Sequence, residues 1–344
     1  MTKKKILVTG GTGYIGSHTV VELIGKGYDV CIIDNLSNSH IEVIDSVEKI
    51  TGVRPIYANI DLTNKSAVNE FLRVHNVDAI IHFAAFKAVG ESVEKPLEYY
   101  RNNLVSLLNL MELCRDHKIK NFVFSSSCSV YGQPDYLPID EFAMVKPAQS
   151  PYANTKKIGE DILRDTSKVV DINIISLRYF NPVGAHPSAM IGEYAIGAPL
   201  NLFPVVTQTA IGKREKMVVY GTDYNTPDGS CIRDYIHVVD IAVAHVIAIE
   251  RMLNGKSKEK YELFNLGTGT GLSVLEIIIA FEKITGVKVN YQLMDRRAGD
   301  VEKVYADTTY ANNELGWKTT RTLEDMITSA WAWEQVLAKK ATVA

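Results

Sequence analysis

The chain has 344 residues, enough for a large core and two domains, and its 46% hydrophobic and 22% charged content is that of an ordinary globular protein. A formal net charge of −3 leaves no electrostatic footprint for nucleic acid or an anionic membrane, and no apolar run reaches the length of about eighteen residues that a membrane helix needs. No signal-peptide pattern precedes Lys3, so a cytoplasmic location is expected. Cys31, Cys114, Cys128 and Cys231 are scattered without a C-x-x-C pair, and the histidines show no ligand spacing, so buried free thiols and no metal are expected.

The run over residues 5–9 is β-branched and aliphatic, ends in glycines, and passes into a helical pattern with Ile15, Thr19, Leu23 and Ile24 on one face. That strand–turn–helix setting is what a glycine fingerprint requires. Gly10 can take backbone angles closed to other residues, Gly13 lets a pyrophosphate approach the main chain, and Gly16 lets the helix lie close on the strand. The helix N-terminus then offers free N–H groups and its positive dipole end to the phosphates. The spacing is G-x-x-G-x-x-G rather than G-x-G-x-x-G, so a merely tight βα turn remains an alternative at this point. Residues 28–33 read as a second strand ending at Asp34, 18 residues after Gly16. A carboxylate there takes both ribose hydroxyls and repels a 2′-phosphate. No basic residue lies in 34–39, which favours NAD over NADP; closing a turn is the other reading of Asp34.

The alternation continues with a helix over 41–50, a short strand over 54–58 ending near Asp61 and Leu62, a helix over 66–74 and an apolar strand over 78–85. Short apolar runs separated by helices are the sequence form of an α/β, doubly wound parallel sheet covered on both faces. Ligands of such sheets lie at the carboxyl ends of strands, which places Phe83, Ala84, Ala85 and Lys87 near the cofactor. A long helix is expected over 96–114 with Asn102 and Asn103 inside it, then a strand over 121–127 ending in Ser125, Ser126 and Ser127, a helix over 152–168 and a strand over 173–177. From Asn181 the rhythm is irregular through 200–204 and the loop 222–233, with a short strand over 217–220. A helix over 238–252 and a strand over 261–266 look regular enough to rejoin the first domain. Segments 274–284, 287–292 and 323–336 form a smaller mixed lobe. The expected division is an NAD-binding domain over 1–180, with segments near 236–266 returning to it, and a mainly substrate-binding lobe over 181–344.

Tyr152 and Lys156 lie at i and i+4, one turn apart on one helix face. A cation beside a phenol stabilises the phenolate and lowers its pKa toward working pH, which suits a general base. The serine run some 25 residues upstream can supply a hydroxyl to the reacting oxygen. Tyr-x-x-x-Lys on a solvated helix face is common by chance; following a glycine fingerprint, an acidic strand end and a serine-terminated strand, it reads as chemistry.

With residues 9–18 (TGGTGYIGSH), 34–36 (DNL), 87–92 (KAVGES), 124–127 (FSSS), Tyr152 with Lys156, 178–187 (RYFNPVGAHP) and 233–238 (RDYIHV), the chain resembles the UDP-glucose (UDP-galactose) 4-epimerases of the extended short-chain dehydrogenase/reductase family. The resemblance runs over essentially the full length, and the runs around Lys87 and Asn181 are its most specific parts. It implies a tightly held NAD touching Gly10, Gly13, Tyr14, Ile15, Gly16, Asp34, Asn35, Asn38, Ser39, Asp61, Leu62, Phe83, Ala84, Ala85, Lys87, Asn102, Tyr152, Lys156 and Tyr179. It implies a nucleotide sugar on Lys87, Ser127, Ser129, Tyr152, Phe180, Asn181, Asn201, Leu202, Arg233, Arg296 and Asp300. Arg233 and Arg296 suit a diphosphate as bidentate, always-charged donors, with surface ion pairs as the plainer alternative; a turn is the plainer role for Asn181. The implied reaction has Tyr152, aided by Ser127, taking the proton of the sugar 4-hydroxyl while a hydride passes from C4 to NAD, followed by rotation of the 4-ketose and return of the hydride to its other face, with no net redox change.

Two rivals share the cofactor half. Related nucleotide-sugar 4,6-dehydratases carry an Asp-Glu pair after the strand-end hydroxyl, where this chain has Cys128 and Ser129, neither a carboxylic acid. A non-catalytic NAD-sensing module would lack Tyr152, Lys156 or the serines, and all are present. In the resemblance, Val304 stands where members restricted to unacetylated sugars have a tyrosine, so UDP-GlcNAc and UDP-GalNAc become candidate substrates, unless the adjacent Tyr305 folds inward. A homodimer is the family expectation, with helices 96–114 and 152–168 as the pairing elements.

Overall fold

The structure is a computed structural model that describes residues 3–194, 197, 199, 201–296 and 300–343. Leu200 and the stretch Arg297, Ala298 and Gly299 between two of the expected substrate residues lie outside the described residues.

The first half alternates strand and helix: β1 (Lys5–Thr9), α1 (Tyr14–Gly25), β2 (Asp29–Asp34), α2 (Glu42–Thr51), β3 (Ile56–Asn59), α3 (Lys65–Val74) and β4 (Ala79–His82). The chain continues through α4 (Val89–Glu94), α5 (Pro96–Tyr100), α6 (Ser106–His117), β5 (Asn121–Ser127), α7 (Pro151–Ser167) and β6 (Asn173–Tyr179). Then come β7 (Asn181–Val183), α8 (Leu202–Ala210), β8 (Met217–Tyr220), β9 (Ile232–His237), α9 (Val238–Leu253) and β10 (Tyr261–Leu266). The last elements are β11 (Gly271–Ser273), α10 (Val274–Thr285), β12 (Tyr291–Met294), β13 (Lys303–Val304) and α11 (Leu323–Val343).

Seven strands form one sheet in the order β10-β6-β5-β4-β1-β2-β3, with each neighbouring pair parallel. The order reverses between β1 and β4, which opens a crevice at their carboxyl ends. The strands read as unbroken apolar runs because successive side chains point to opposite faces and both faces are covered. Ile6, Val8, Ile32, Ile81 and Val123 pack on one side with Val20, Leu23, Ile241 and Ile249 from α1 and α9. Leu7, Ile33, Ile80, Phe122 and Phe124 pack on the other with Val68, Leu110 and Leu163 from α3, α6 and α7. β9 is flanked by β11 and β13 and also pairs with β7, while β8 pairs with β12. A separate core of Phe203, Val206, Val219, Tyr235, Ile277, Phe281 and Ile327 lies among these later elements.

Several expectations are corrected. The expected continuous helix over 96–114 is interrupted by a π-helical turn, Arg101–Val105, that holds both asparagines. Residues 200–204 are not wholly irregular, because α8 begins at Leu202. Ile232 and Arg233 belong to β9 rather than to a loop. The segment 287–292, assigned only to the mixed lobe, holds the start of β12 (Tyr291–Met294), which meets β8. Cys128 is only half-buried, unlike the other three cysteines.

Candidate active site

The β1–α1 turn is tight enough to dictate glycine. Gly10 has φ +72°, and a Cβ there would stand 2.6 Å from the Ala84 amide nitrogen. A Cβ on Gly16 would stand 2.1 Å from the Gly10 carbonyl oxygen. Gly13 caps α1 with no side-chain cap, and the first turn of Tyr14 and Ile15 holds no acidic residue. Those N–H groups therefore remain available to an anion. At the end of β2 the Asp34 carboxylate is fixed by the amides of Leu36 (2.9 Å) and Thr12 (3.2 Å) and by the Ser39 hydroxyl (3.2 Å). Oδ1 accepts two of these and Oδ2 one, which leaves Oδ2 a lone pair for a ribose hydroxyl.

Asn35 donates to Asp61 at 3.1 Å, beside the buried Leu62, while Asn38 is exposed on the same rim. Burial works against ionisation of Asp61, but hydrogen bonds from Thr63 and Asn35 outweigh it and hold the carboxyl below its usual range. After β4, the amides of Phe83 and Ala84 both bond the Thr9 carbonyl, which bends the chain through Ala85 toward Lys87 across the crevice. These donors and strand ends suit a dinucleotide, as expected from the glycines and Asp34.

Tyr152 and Lys156 lie on α7 facing the end of β5. The Ser127 hydroxyl hydrogen-bonds the phenol, and Lys156 Nζ donates to the Ser125 carbonyl at 2.6 Å, 5.9 Å from the centre of the Tyr152 ring. The expectation of a lowered phenol pKa is not met by the protein groups alone. Burial pushes Tyr152 up to about 12, with the Ser127 hydrogen bond only partly opposing it. Burial pulls Lys156, the more buried of the two, down to about 8. The ammonium lies against the Phe124 ring and the Ser125 carbonyl rather than on the phenol oxygen, so desolvation governs both groups. Tyr179, expected to touch the cofactor, has its hydroxyl hydrogen-bonded to His245. His245 uses Nδ1–H to donate to the Ile241 carbonyl, so its Nε2 accepts from Tyr179 at 2.6 Å.

On the substrate side, Phe180 is buried against Val304 and Tyr131. Asn181 sits on β7, not in a turn, and its amide donates to the Asp234 carbonyl at 2.9 Å. Ser129 presents a buried hydroxyl with no hydrogen-bond partner among the described residues. Arg233 lies on β9 beside Val304. Arg296 is in the surface ion pair raised above as an alternative, with Nε 2.7 Å from Asp223, and it stacks on Tyr224. Asp300 lies close enough to act electrostatically on the same tyrosine.

Two residues missed in the sequence tie these parts together. Glu193 Oε1 accepts from Asn201 at 2.6 Å and Lys87 at 3.1 Å, while Leu202 begins α8 next to Asn201. Asn103 bonds both the amide and the carbonyl of Phe86 and reaches Thr155 on α7 at 3.0 Å. Asn102 donates from its side-chain amide to the Asn103 side-chain oxygen Oδ1 at 3.0 Å. Two adjacent asparagines inside a helical pattern were the only available signal; an isolated glutamate in irregular chain gave none.

Residues 7–330 match the family model described as GDP-mannose 4,6 dehydratase. A UDP-glucose 4-epimerase from Yersinia enterocolitica is 47% identical over 332 residues, covering 96% of this chain and 97% of that protein. The crystal structure of UDP-glucose-4-epimerase from Stenotrophomonas maltophila, with bound NAD and formylated UDP-arabinopyranose, superposes with a TM-score of 0.95 at 43% identity, covering 98% of this chain and 99% of that one. The Bifidobacterium longum UDP-glucose 4-epimerase in complex with NAD+ and UDP gives 0.92 at 45% identity, covering 97% and 98%. The family model spans most of the chain, and the near-full-length relative and solved structures described above are UDP-glucose 4-epimerases. By its near-full-length identity to these relatives, and with a crevice of matching architecture, the chain belongs to the UDP-glucose 4-epimerase family.

Proposed function

We propose that the chain interconverts UDP-glucose and UDP-galactose by reversible oxidation at sugar C4, with NAD held between β1 and β4 by the glycine turn, Asp34 and the strand ends through Phe83 and Lys87. The observation that carries this is the meeting of Tyr152, Ser127 and Lys156 at the carboxyl end of β5, beside that crevice. When bound, NAD supplies the hydride acceptor for C4 and a positive charge beside the phenol. Tyr152 takes the proton of the 4-hydroxyl and later returns it, Ser127 hydrogen-bonds the same oxygen, and Lys156 stabilises the phenolate. Arg233 and Arg296 anchor the diphosphate, Asn181 bonds the diphosphate or a sugar hydroxyl, Asp300 takes ribose hydroxyls, and Asn201 and Leu202 line the nucleotide sugar. A sugar gripped mainly through its diphosphate is free to present its other face. The division into an NAD-binding unit over 1–180 with 236–266 and a nucleotide-sugar lobe over 181–344 is supported by the pairing of β10 with β6. Purified protein given UDP-galactose without added NAD should form UDP-glucose. Tyr152→Phe should keep its NAD and lose about 10²–10⁴-fold in kcat; retention of activity by that variant would refute the assignment.

A second reading extends the substrates to UDP-GlcNAc and UDP-GalNAc. Val304 faces Phe180 in a small apolar cluster, whereas the Tyr305 ring packs against Gly271, where a Cβ would meet it at 3.0 Å. Tyr305, just beyond β13, is thereby engaged at Gly271 and not in the cluster that holds Val304. Val304→Tyr should abolish turnover of acetylated sugars and spare plain ones; wild type inactive on acetylated sugars would end this reading.

No helix among the described residues is long and apolar enough to cross a membrane, in keeping with work in the cytoplasm on a soluble nucleotide sugar. We also assign a homodimer, supported by exposed Val89, Val93, Leu97 and Leu108 on α4, α5 and α6, with Leu97 79% exposed. Leu97→Asp should shift the light-scattering mass from two chains to one; a monomeric wild type would exclude the pairing.

A further inference from the structure

Tyr152, Lys156 and Glu160 follow one another at intervals of one turn along the same face of α7. Each meets a different residue at the end of β5: Tyr152 the Ser127 hydroxyl, Lys156 the Ser125 carbonyl, and Glu160 the Ser126 hydroxyl, which donates to Oε1 at 2.5 Å. The third contact lies outside the reacting centre and is deeply buried. Helix and strand lie close along this seam, since a Cβ on Gly159 would meet the Phe124 ring at 2.8 Å.

Glu160 is gripped from the next strand as well. Arg178 donates through Nε at 2.9 Å and through Nη2 at 2.5 Å in a bidentate pair, both side chains being 2% exposed. Ser126 and Arg178 are register partners across β5 and β6, and so are Ser127 and Tyr179. Glu160 therefore clamps both strand ends at the level immediately beneath the reacting residues. The Arg178 guanidinium also lies over the Tyr131 ring at 4.6 Å, which fixes its plane.

We propose that Glu160 is a positioning residue of the epimerase reaction: its contacts to Ser126 and Arg178 set the register in which Tyr152 and Lys156 face Ser127 and Ser125, and its carboxylate stands one helical turn from the buried Lys156. A buried ion pair removed from the substrate is weak evidence for stability, because apolar residues of equal volume do as well. Its placement on the reactive face of α7 gives it a use beyond stability. The groups around Lys156 leave Glu160 as the neighbouring anion: His82 on β4 is kept neutral by burial, Tyr152 and Tyr179 are protonated phenols, and Arg178 is a cation. Glu160 is also the group whose charge opposes the desolvation of Lys156.

This inference rests on Tyr152 and Lys156 handling the proton, and its test separates the two ideas. The test uses holoenzyme with its cofactor content measured. Glu160→Gln removes the charge and should lower kcat at least about tenfold and move the alkaline limb of the kcat/KM profile down by about one pH unit. Ser126→Ala removes a register contact but no charge, and should lower kcat with the limb in place and KM unchanged. If Glu160→Gln does not fold with Arg178 left unpaired, Glu160→Gln with Arg178→Met restores neutrality and should show the same shifted limb. Folded, NAD-loaded variants with wild-type kcat and an unmoved limb would overturn the proposal. Activity surviving in Tyr152→Phe would instead overturn the reading beneath it.

Discussion

At the scale of single residues the cofactor turn is a steric statement before it is a chemical one. Gly10 combines a left-handed backbone with a main chain packed against the space its Cβ would fill. Gly10→Ala must either flip the turn or push Ala84 away, at a cost of about 1–3 kcal/mol. The expected outcome is a lower melting temperature together with loss of copurifying NAD, measured by thermal unfolding and by absorbance of the released cofactor; a fully loaded variant with an unchanged midpoint would contradict it. The pair Tyr152 and Lys156 was legible for a related reason, since i and i+4 spacing fixes a shared face wherever the helix forms. Their ionisation was not legible. Burial sets it, pushing the phenol to about 12 and the ammonium to about 8, and burial is a property of the folded molecule rather than of spacing. Arg296 teaches the same lesson, because its partner Asp223 is distant in sequence.

Among the elements, the π-helical turn between α5 and α6 does what a straight helix cannot. Its extra residue turns Asn103 inward, so one amide side chain holds the Phe86 backbone on both sides and reaches α7 through Thr155. Asn103→Leu leaves the Phe86 amide and carbonyl without their buried partner, which costs about 1–3 kcal/mol. We expect a lower urea midpoint and a raised KM for the UDP-sugar, because Lys87 follows directly on this segment; an unaltered midpoint would show the contacts to be dispensable.

The alternating apolar runs made β1, β2, β4, β5 and β6 readable, since a strand buried on both faces has little room for polar side chains. The later elements were harder. The stretch 200–204 read as irregular, yet Pro204 lies in the first turn of α8, where its missing N–H breaks no helical bond. β9 carries Arg233, Asp234 and His237 among its apolar residues, and its identity as a strand comes from β7, β11 and β13, segments far apart in the chain.

For the whole molecule, the buried histidines set a direction of pH dependence. Burial lowers His18 and His82 to about 3 and His237 and His245 to about 4, so all four are neutral in the fold while unfolded histidine titrates near about 6.5. Between those values the unfolded chain binds more protons, and stability therefore falls as pH falls. Their contribution is complete above about pH 6.5 and drains toward about pH 4, at up to about 1.4 kcal/mol per pH unit for each histidine. Glu141 works the other way. Burial raises it to about 7, so it stabilises the fold in acid and that contribution is lost as pH rises through about 7. Burial also raises Glu22 and Asp234 and lowers His186, and the five lowered histidines outnumber the three raised carboxyls, which leaves a net loss on acidification. His245 has a structural reason to resist protonation, because its Nδ1–H is already donated to Ile241 and a second proton on Nε2 would displace the Tyr179 hydroxyl from its acceptor. Urea unfolding at fixed ionic strength should give midpoints that fall steadily from about pH 7.5 to about pH 5, and His245→Gln should fall less steeply than wild type. A wild-type midpoint flat across that interval would mean that these histidines reach protons in the native state, and that the core around α1 and α9 is more open than its packing implies.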